Sequence, residues 1–342
     1  MKEINLNEFK IIPVVESAHR LKISDEEYFS SKYANYISNS RLGNINPLDG
    51  GSWKKYSSPP KISTNSLVLG SAIHELTLQK ESFKLFPKCD KPTAKLGKTI
   101  DKIKFYRRQG ETILSSITKA CKDCDYYASS IKNHIHSTIA SGYKYYLQTF
   151  KYDDTYITLD DASWDKCTKC VESLQNNAPI QKELHPVDLF DSPLPSFNED
   201  AIFLDIAILY KNYGIELPLK MKADNWTIDE DDEILTLNDL KTTSKPNAWF
   251  MADYGSFNKY HYYRQFYMYM YMLQNYCTKE YGYNHKWKYR GNVLVVNTEN
   301  YESRLFKVNK AQFEAGKKEF ETLIKMVAYY SLFGDKEEVV FV

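Results

Sequence analysis

Ile215-Glu216-Leu217-Pro218-Leu219-Lys220-Met221-Lys222-Ala223-Asp224 and, beyond an acidic turn, Leu235-Thr236-Leu237-Asn238-Asp239-Leu240-Lys241 are the two segments whose reading decides the fold. In the first, apolar residues take the odd positions, which leaves Asp224 on the polar side with Lys220 and Lys222. In the second, Asp239 and Lys241 are two apart and share a face. Turn-prone Asp229-Glu230-Asp231-Asp232 separates the two strands. Paired as a hairpin, they bring two carboxylates and an ammonium to one edge. Working outward, Ala201–Tyr210 reads as a preceding strand, so the three form a meander. A long, tyrosine-rich amphipathic helix is expected from about Phe257 to Cys277. Strands at Asn292–Asn297 and Ser303–Val308 and a helix at Lys310–Leu332 follow.

Upstream, a helix is expected from near Ser66 to Gln79. Mostly helical text runs from Thr99 to Gln148, and another helix carries Trp164, Val171 and Leu174. The first 60 residues, ending in Gly50-Gly51 and Ser57-Ser58-Pro59-Pro60, read as a segment packed on or leading into the core. The expected fold class is α/β, a mixed sheet flanked by helices. Residues 61–342 are expected to form a single domain with a helical elaboration at about 95–195.

The chain of 342 residues is long enough for a sizeable core, and its net charge of +1 excludes wholesale polycation behaviour. Any polyanion must therefore meet a local patch. One candidate is Lys84 to Arg108, with seven lysines and two arginines against Asp90 and Asp101; a charge run taken alone favours a solvated helix face or loop. No long uninterrupted apolar stretch occurs, so neither a signal peptide nor a membrane span is expected, and a cytoplasmic setting is. Six cysteines fit a reducing compartment. Cys121/Cys124 and Cys167/Cys170 each form a CxxC, but the interval between them far exceeds the roughly 15 to 20 residues of a compact zinc ribbon. Plain thiols are expected.

Paired carboxylates such as Asp224 and Asp239 suit a hard divalent cation, magnesium above all, which takes oxygen ligands and keeps places for water and phosphate. Lys241 beside them could orient or deprotonate a water and offset transition-state charge. On spacing alone the pattern is a weak signal, and a surface ion pair between Asp239 and Lys241 is the favoured reading.

Three motifs in order alter that balance. Asp224 with Asp239-Leu240-Lys241-Thr242-Thr243 resembles the D…DxK-TT core of the PD-(D/E)XK nucleases. Leu69-Gly70-Ser71-Ala72-Ile73-His74-Glu75-Leu76-Thr77-Leu78, continuing to Glu81 and Phe83, is similar to the histidine helix of RecE-type exonucleases (the exodeoxyribonuclease VIII group). Tyr262-Tyr263-Arg264-Gln265-Phe266-Tyr267-Met268-Tyr269 resembles the YxxQxxxY helix that this group shares with RecB-like nucleases. Together they cover residues 66–277. The Ile37-Ser38-Asn39-Ser40 stretch and the Lys88-to-Lys104 segment extend a weaker likeness.

The resemblance implies that His74, Asp224, Asp239 and the Leu240 carbonyl hold the metal, and that Lys241 is catalytic. Magnesium is implied, with manganese as a substitute. Gln265, Tyr262, Tyr269 and Arg264 would meet DNA, and Lys98, Lys102, Arg107 and Arg108 are further candidates from the basic segment. Relatives with an iron–sulfur cluster place one cysteine before the histidine motif and three after the glutamine motif. Here none precedes His74 and only Cys277 follows Gln265, which argues against a cluster. The implied activity is exonucleolytic, 5′ to 3′ on duplex ends in a bacterial or phage-infected cell. It would make 3′ single strands for recombination or phage replication with a single-strand annealing partner, and a ring-shaped homo-oligomer is implied as well. The alternatives are a DNA-end-binding scaffold without turnover and an endonuclease of the same fold.

Overall fold

A computed structural model describes residues 2–59, 65–81, 83, 85–87, 89–92, 94–126, 142–147, 157–282, 285–335 and 339–342. Lys84, Lys88 and the part of the expected helical stretch at 127–141 lie outside the described residues. The chain divides into two compact units, one of residues 1–63, 76–79 and 169–342 and one of residues 64–75 and 80–168.

The first unit is built on a six-stranded sheet whose order is the order of the chain: β1 (Phe9–Leu21), β2 (Ser196–Tyr210), β3 (Tyr213–Asp229), β4 (Ile234–Thr243), β5 (Lys288–Asn297) and β6 (Ser303–Val308). Every neighbouring pair is antiparallel except β4 and β5. The expected mixed sheet flanked by helices is therefore what forms. The expected meander is present, with strands longer than their apolar alternation indicated. Strand β1 falls within the first 60 residues, read as a segment packed on or leading into the core. Phe9-Lys10-Ile11-Ile12-Pro13-Val14-Val15 lacks alternation and carries a proline, which an edge strand tolerates because one side of its backbone needs no partner. Its ladder to β2 is broken between Val14 and His19.

The parallel pair β4/β5 needs a crossover. The helix Tyr262–Tyr281 supplies it, with residues such as Phe266, Met268, Met270, Met272 and Leu273 buried. It packs on the helix Lys310–Phe333, which begins in a reciprocal capping box between Asn309 and Gln312. The two backbones approach closely at Gly316, where a Cβ would lie 2.2 Å from the Tyr263 carbonyl oxygen. Only glycine fits that contact.

In chain order the principal helices are α1 (Asn65–Leu78), α2 (Ala94–Arg108), α3 (Ile113–Asp123), α4 (Asp161–Gln175), α5 (Ala178–Leu184), α6 (Tyr262–Tyr281) and α7 (Lys310–Phe333). Within the second unit, α2 and α3 bury Ile103, Ile117, Ala120 and Cys121 against one another. Leu85–Pro87 pairs in parallel with Ile157–Leu159. Among the described residues, no helix is long and apolar enough to cross a membrane.

Candidate active site

Strands β3 and β4 are in register from Asp229↔Ile234 to Asn225↔Asn238, and the ladder ends there. One residue further on, Asp224 and Asp239 stand where the strands part. The opening is bridged rather than empty: the Leu240 amide donates to Asp224 Oδ2 at 2.7 Å. Strand β2 opens at the same level. Its ladder with β3 pairs Asn198 with Asn225 and Asp200 with Ala223, omitting only Glu199 and Asp224, and Glu199 takes a left-handed φ of 54°. Glu199 and Asp224 offer carboxylate oxygens within 4.8 Å of one another.

Lys241 closes this cluster from the β4 side. Its Nζ lies 2.6 Å from Asp239 Oδ2, 3.3 Å from the Leu240 carbonyl oxygen and 5.0 Å from the centre of the Tyr262 ring. Burial works against the Lys241 charge, but the carboxylates of Asp239 and Asp224 outweigh it and raise the ammonium's pKa. Asp239 is buried, with 3% of its surface exposed, and Lys241 supplies a counter-ion to its carboxylate. From α6, Gln265 Nε2 donates to Asp239 Oδ1 at 2.8 Å. Burial likewise raises the phenol pKa of Tyr262 and Tyr269.

On the other face of the same strands lies a neutral row. Asn292 Nδ2 donates to Asn238 Oδ1 at 2.8 Å, Asn238 Nδ2 to Asn225 Oδ1 at 2.6 Å, and Asn225 Nδ2 to Asn198 Oδ1 at 2.7 Å. Glu183 of α5 receives Asn292 at one end (2.9 Å), and the Leu78 carbonyl receives Asn198 at the other (3.1 Å). Because successive residues on a strand face opposite ways, fixing Asn225 and Asn238 on one face fixes Asp224 and Asp239 on the other.

The first unit thus gathers Asp224, Asp239, Leu240, Lys241, Gln265 and Tyr262. Tyr269 lies two turns further along α6, half-buried. Arg264 is buried at 4% exposure, and its guanidinium is engaged by Glu319 and Asn39 rather than presented outward. His74 is half-buried on α1, in the part of that helix belonging to the second unit. Lys98, Lys102, Arg107 and Arg108 all lie on α2. Lys98 and Lys102 line an open cleft of about 850 Å³ with Lys95, Phe105 and Cys124, and Lys102 pairs with Asp123 at 3.4 Å. Arg107 donates to the Glu111 carbonyl. Cys121, Cys167 and Cys170 are buried thiols and Cys124 is half-buried.

Glu199 is the residue the sequence reading missed. The polar run Ser196-Phe197-Asn198-Glu199-Asp200 hides the head of β2, and the apolar stretch that betrays the strand begins only at Ala201. Counting back the hairpin register from Tyr210↔Tyr213 would have placed Glu199 across from Asp224.

No family model and no curated protein matches the chain. Among solved structures, one similar protein from Eubacterium rectale, provisionally named an exonuclease, is 10% identical, with a TM-score of 0.47 over 92% of this chain and 89% of that one. Another, Rai1 of Scheffersomyces stipitis, is 7% identical, with a TM-score of 0.22 over 94% of this chain and 77% of that one.

Proposed function

We propose that the protein is a magnesium-dependent deoxyribonuclease of PD-(D/E)XK type that degrades linear duplex DNA from its ends. The observation that carries this is the meeting of Asp224, Asp239, Lys241 and Gln265 at the point where β3 and β4 part. The donors in the first unit are oxygens, namely the carboxylates of Asp224, Asp239 and Glu199 and the Leu240 carbonyl. That set suits a hard cation of magnesium's kind. His74 is added as a ligand by the resemblance alone.

A cation bound there would polarise the scissile phosphate and acidify a water beside it. Asp224 and Asp239 would hold it, with Gln265 fixing the orientation of the Asp239 carboxylate. Lys241 is charged where it stands, so its part is to donate toward phosphate oxygen or water and to offset charge that develops in the transition state. Were Asp224 and Asp239 to hold a cation, the Lys241 ammonium would be available for that task. Tyr262, under Lys241, limits where the ammonium can go.

Action on DNA ends in the 5′-to-3′ sense, the 3′ single-stranded product, a ring-shaped assembly and an annealing partner all follow from the motif resemblance, as do recombination or phage replication as the setting. The deciding experiment digests end-labelled linear duplex and closed circular DNA with magnesium, manganese or chelator, using wild type and Lys241→Ala. Metal-dependent loss of linear DNA alone, strongly slowed by the substitution, is the expected result. Cutting of closed circles would make it an endonuclease. Binding without cleavage under every divalent metal would make it an end-binding scaffold.

A further inference from the structure

Helix α6 carries Gln265 and Tyr262 into the site, yet its first turn is held mainly from behind. His261 precedes it in a left-handed conformation, φ 53°, and makes no side-chain cap to the helix. Such a conformation is sparsely populated for a residue with a side chain and persists where surroundings enforce it. Its imidazole is used elsewhere: Nδ1 lies 2.8 Å from Glu319 Oε2 and 2.7 Å from the Tyr263 hydroxyl, and Nε2 lies 3.1 Å from Asp49. Three residues on, Arg264 pairs with Glu319 Oε1 and donates from Nε to Asn39 Oδ1 at 2.8 Å. Asn46 Nδ2 completes the coordination of Glu319 at 3.2 Å. Gly43 leaves room for the arginine, since a Cβ there would lie 2.9 Å from its terminal nitrogen.

One carboxylate on α7 therefore receives His261, Arg264 and Asn46, in a half-buried setting where the pairing is little screened. His261 and Arg264 stand one residue before Tyr262 and Gln265 respectively, so each tether is covalently adjacent to a side chain of the site. We propose that Glu319 is a positioning residue: through His261 and Arg264 it sets the first turn of α6, and with it the placement of Gln265 on Asp239 and of Tyr262 under Lys241. The role in turnover rests on the nuclease reading above, whereas the role in fixing the helix does not. A displacement of about 1 Å at such a distance from the reacting atoms is enough to cost roughly 100-fold in rate.

The test compares wild type with Glu319→Gln, which keeps the shape and removes the charge, and with Glu319→Ala. Three quantities are read: amide exchange in peptides spanning residues 257–270 and 219–243, the thermal midpoint, and kcat and KM on linear duplex with magnesium. For Glu319→Gln the expected result is faster exchange at 261–266 and unchanged exchange at 219–243. With it, kcat falls about 10- to 100-fold while KM moves little. Exchange at 261–266 that stays at the wild-type rate overturns the proposal, whatever happens to activity. So does a kcat loss that merely follows the fraction unfolded. If wild type cleaves nothing, the nuclease reading fails by itself, and the exchange comparison still decides whether Glu319 holds the helix.

Discussion

The two faces of strands β2, β3 and β4 differ by one residue in sequence and by everything in chemistry. Asn198, Asn225 and Asn238 line one face, joined by Asn292, and each amide is consumed by its neighbour. Glu199, Asp224 and Asp239 line the other, where the ladders part and the charge is balanced by Lys241 and Lys222. The amide row is complete in itself, so it contributes order. In the carboxylate row Glu199 and Asp239 pair with lysines and Asp224 accepts from the Leu240 amide, partners that a cation could displace. A buried network stabilises only when all its members are paired, and a site that binds a cation must keep donors that can change partner.

Breaking the carboxylate face should have the largest effect. Asp239→Asn is expected to abolish cleavage and also the rise in thermal midpoint that magnesium gives the wild type, measured by calorimetry with and without the metal. A retained magnesium shift would place the cation elsewhere. Removing the counter-ion sharpens the point. Lys241→Ala should lower the rate by roughly 10²- to 10³-fold, yet gain more thermal stability from magnesium than the wild type does, because the cation then relieves an otherwise uncompensated buried carboxylate.

Breaking the amide face should instead be felt as instability. Asn238→Ala leaves Asn225 and Asn292 with unmet partners and is expected to cost about 2 to 3 kcal/mol in denaturant unfolding. Residual activity per folded molecule should survive unless the register slips. A variant that unfolds as readily as wild type would show that the row contributes no order.

Further from the reacting atoms, pH should act through His261 and Glu319, which face Arg264, Tyr263 and Asp49. The hydrogen bond to Glu319 outweighs burial and raises the His261 pKa. Its stabilisation is therefore whole below the unfolded histidine value of about 6.5 and is lost as pH rises through the higher folded value. The hydrogen bond from His261 and the nearby Arg264 charge outweigh burial and lower the Glu319 pKa, so its stabilisation holds above the ordinary carboxylate range and is lost on acidification through the lowered value. Thermal midpoints should thus decline on either side of a plateau, and His261→Asn should remove the alkaline decline. The smallest effect belongs to the basic helix: Lys98→Glu with Lys102→Glu should make the salt dependence of DNA binding shallower by about 1.8 in log–log slope if both touch phosphate. An unchanged slope would remove α2 from the DNA path.

The meander, the α6 crossover and the final helix were legible because each has a clean period, two for β3 and β4 and near 3.6 for α6 and α7. That Asp239 and Lys241 share a face was legible for the same reason, since period fixes facing; Gln265 was marked only by the motif resemblance. Strand β1 was not, because an edge strand need satisfy only one neighbour and can carry Pro13 and an irregular ladder. Glu199 was hidden by a polar strand end, and Glu319 by distance: nothing near it on α7 marks a residue that reaches back to His261. Arg264 inside the YxxQxxxY helix looked like a DNA contact, and only the fold shows its guanidinium committed to Glu319 and Asn39.

The separation of Glu319 from the carboxylates has a consequence for synthesis. Asp239 leaves the ribosome 80 residues before Glu319 (319 − 239), an interval of about 4 to 16 s at ordinary translation rates of about 5 to 20 residues per second. Throughout it a nascent chain owns Asp224, Asp239 and Gln265 but not the residue proposed to aim the helix that carries the glutamine. On the nuclease reading proposed above, a chain interrupted in that window would cleave poorly, and competence would arrive only once the helix Lys310–Phe333 is made.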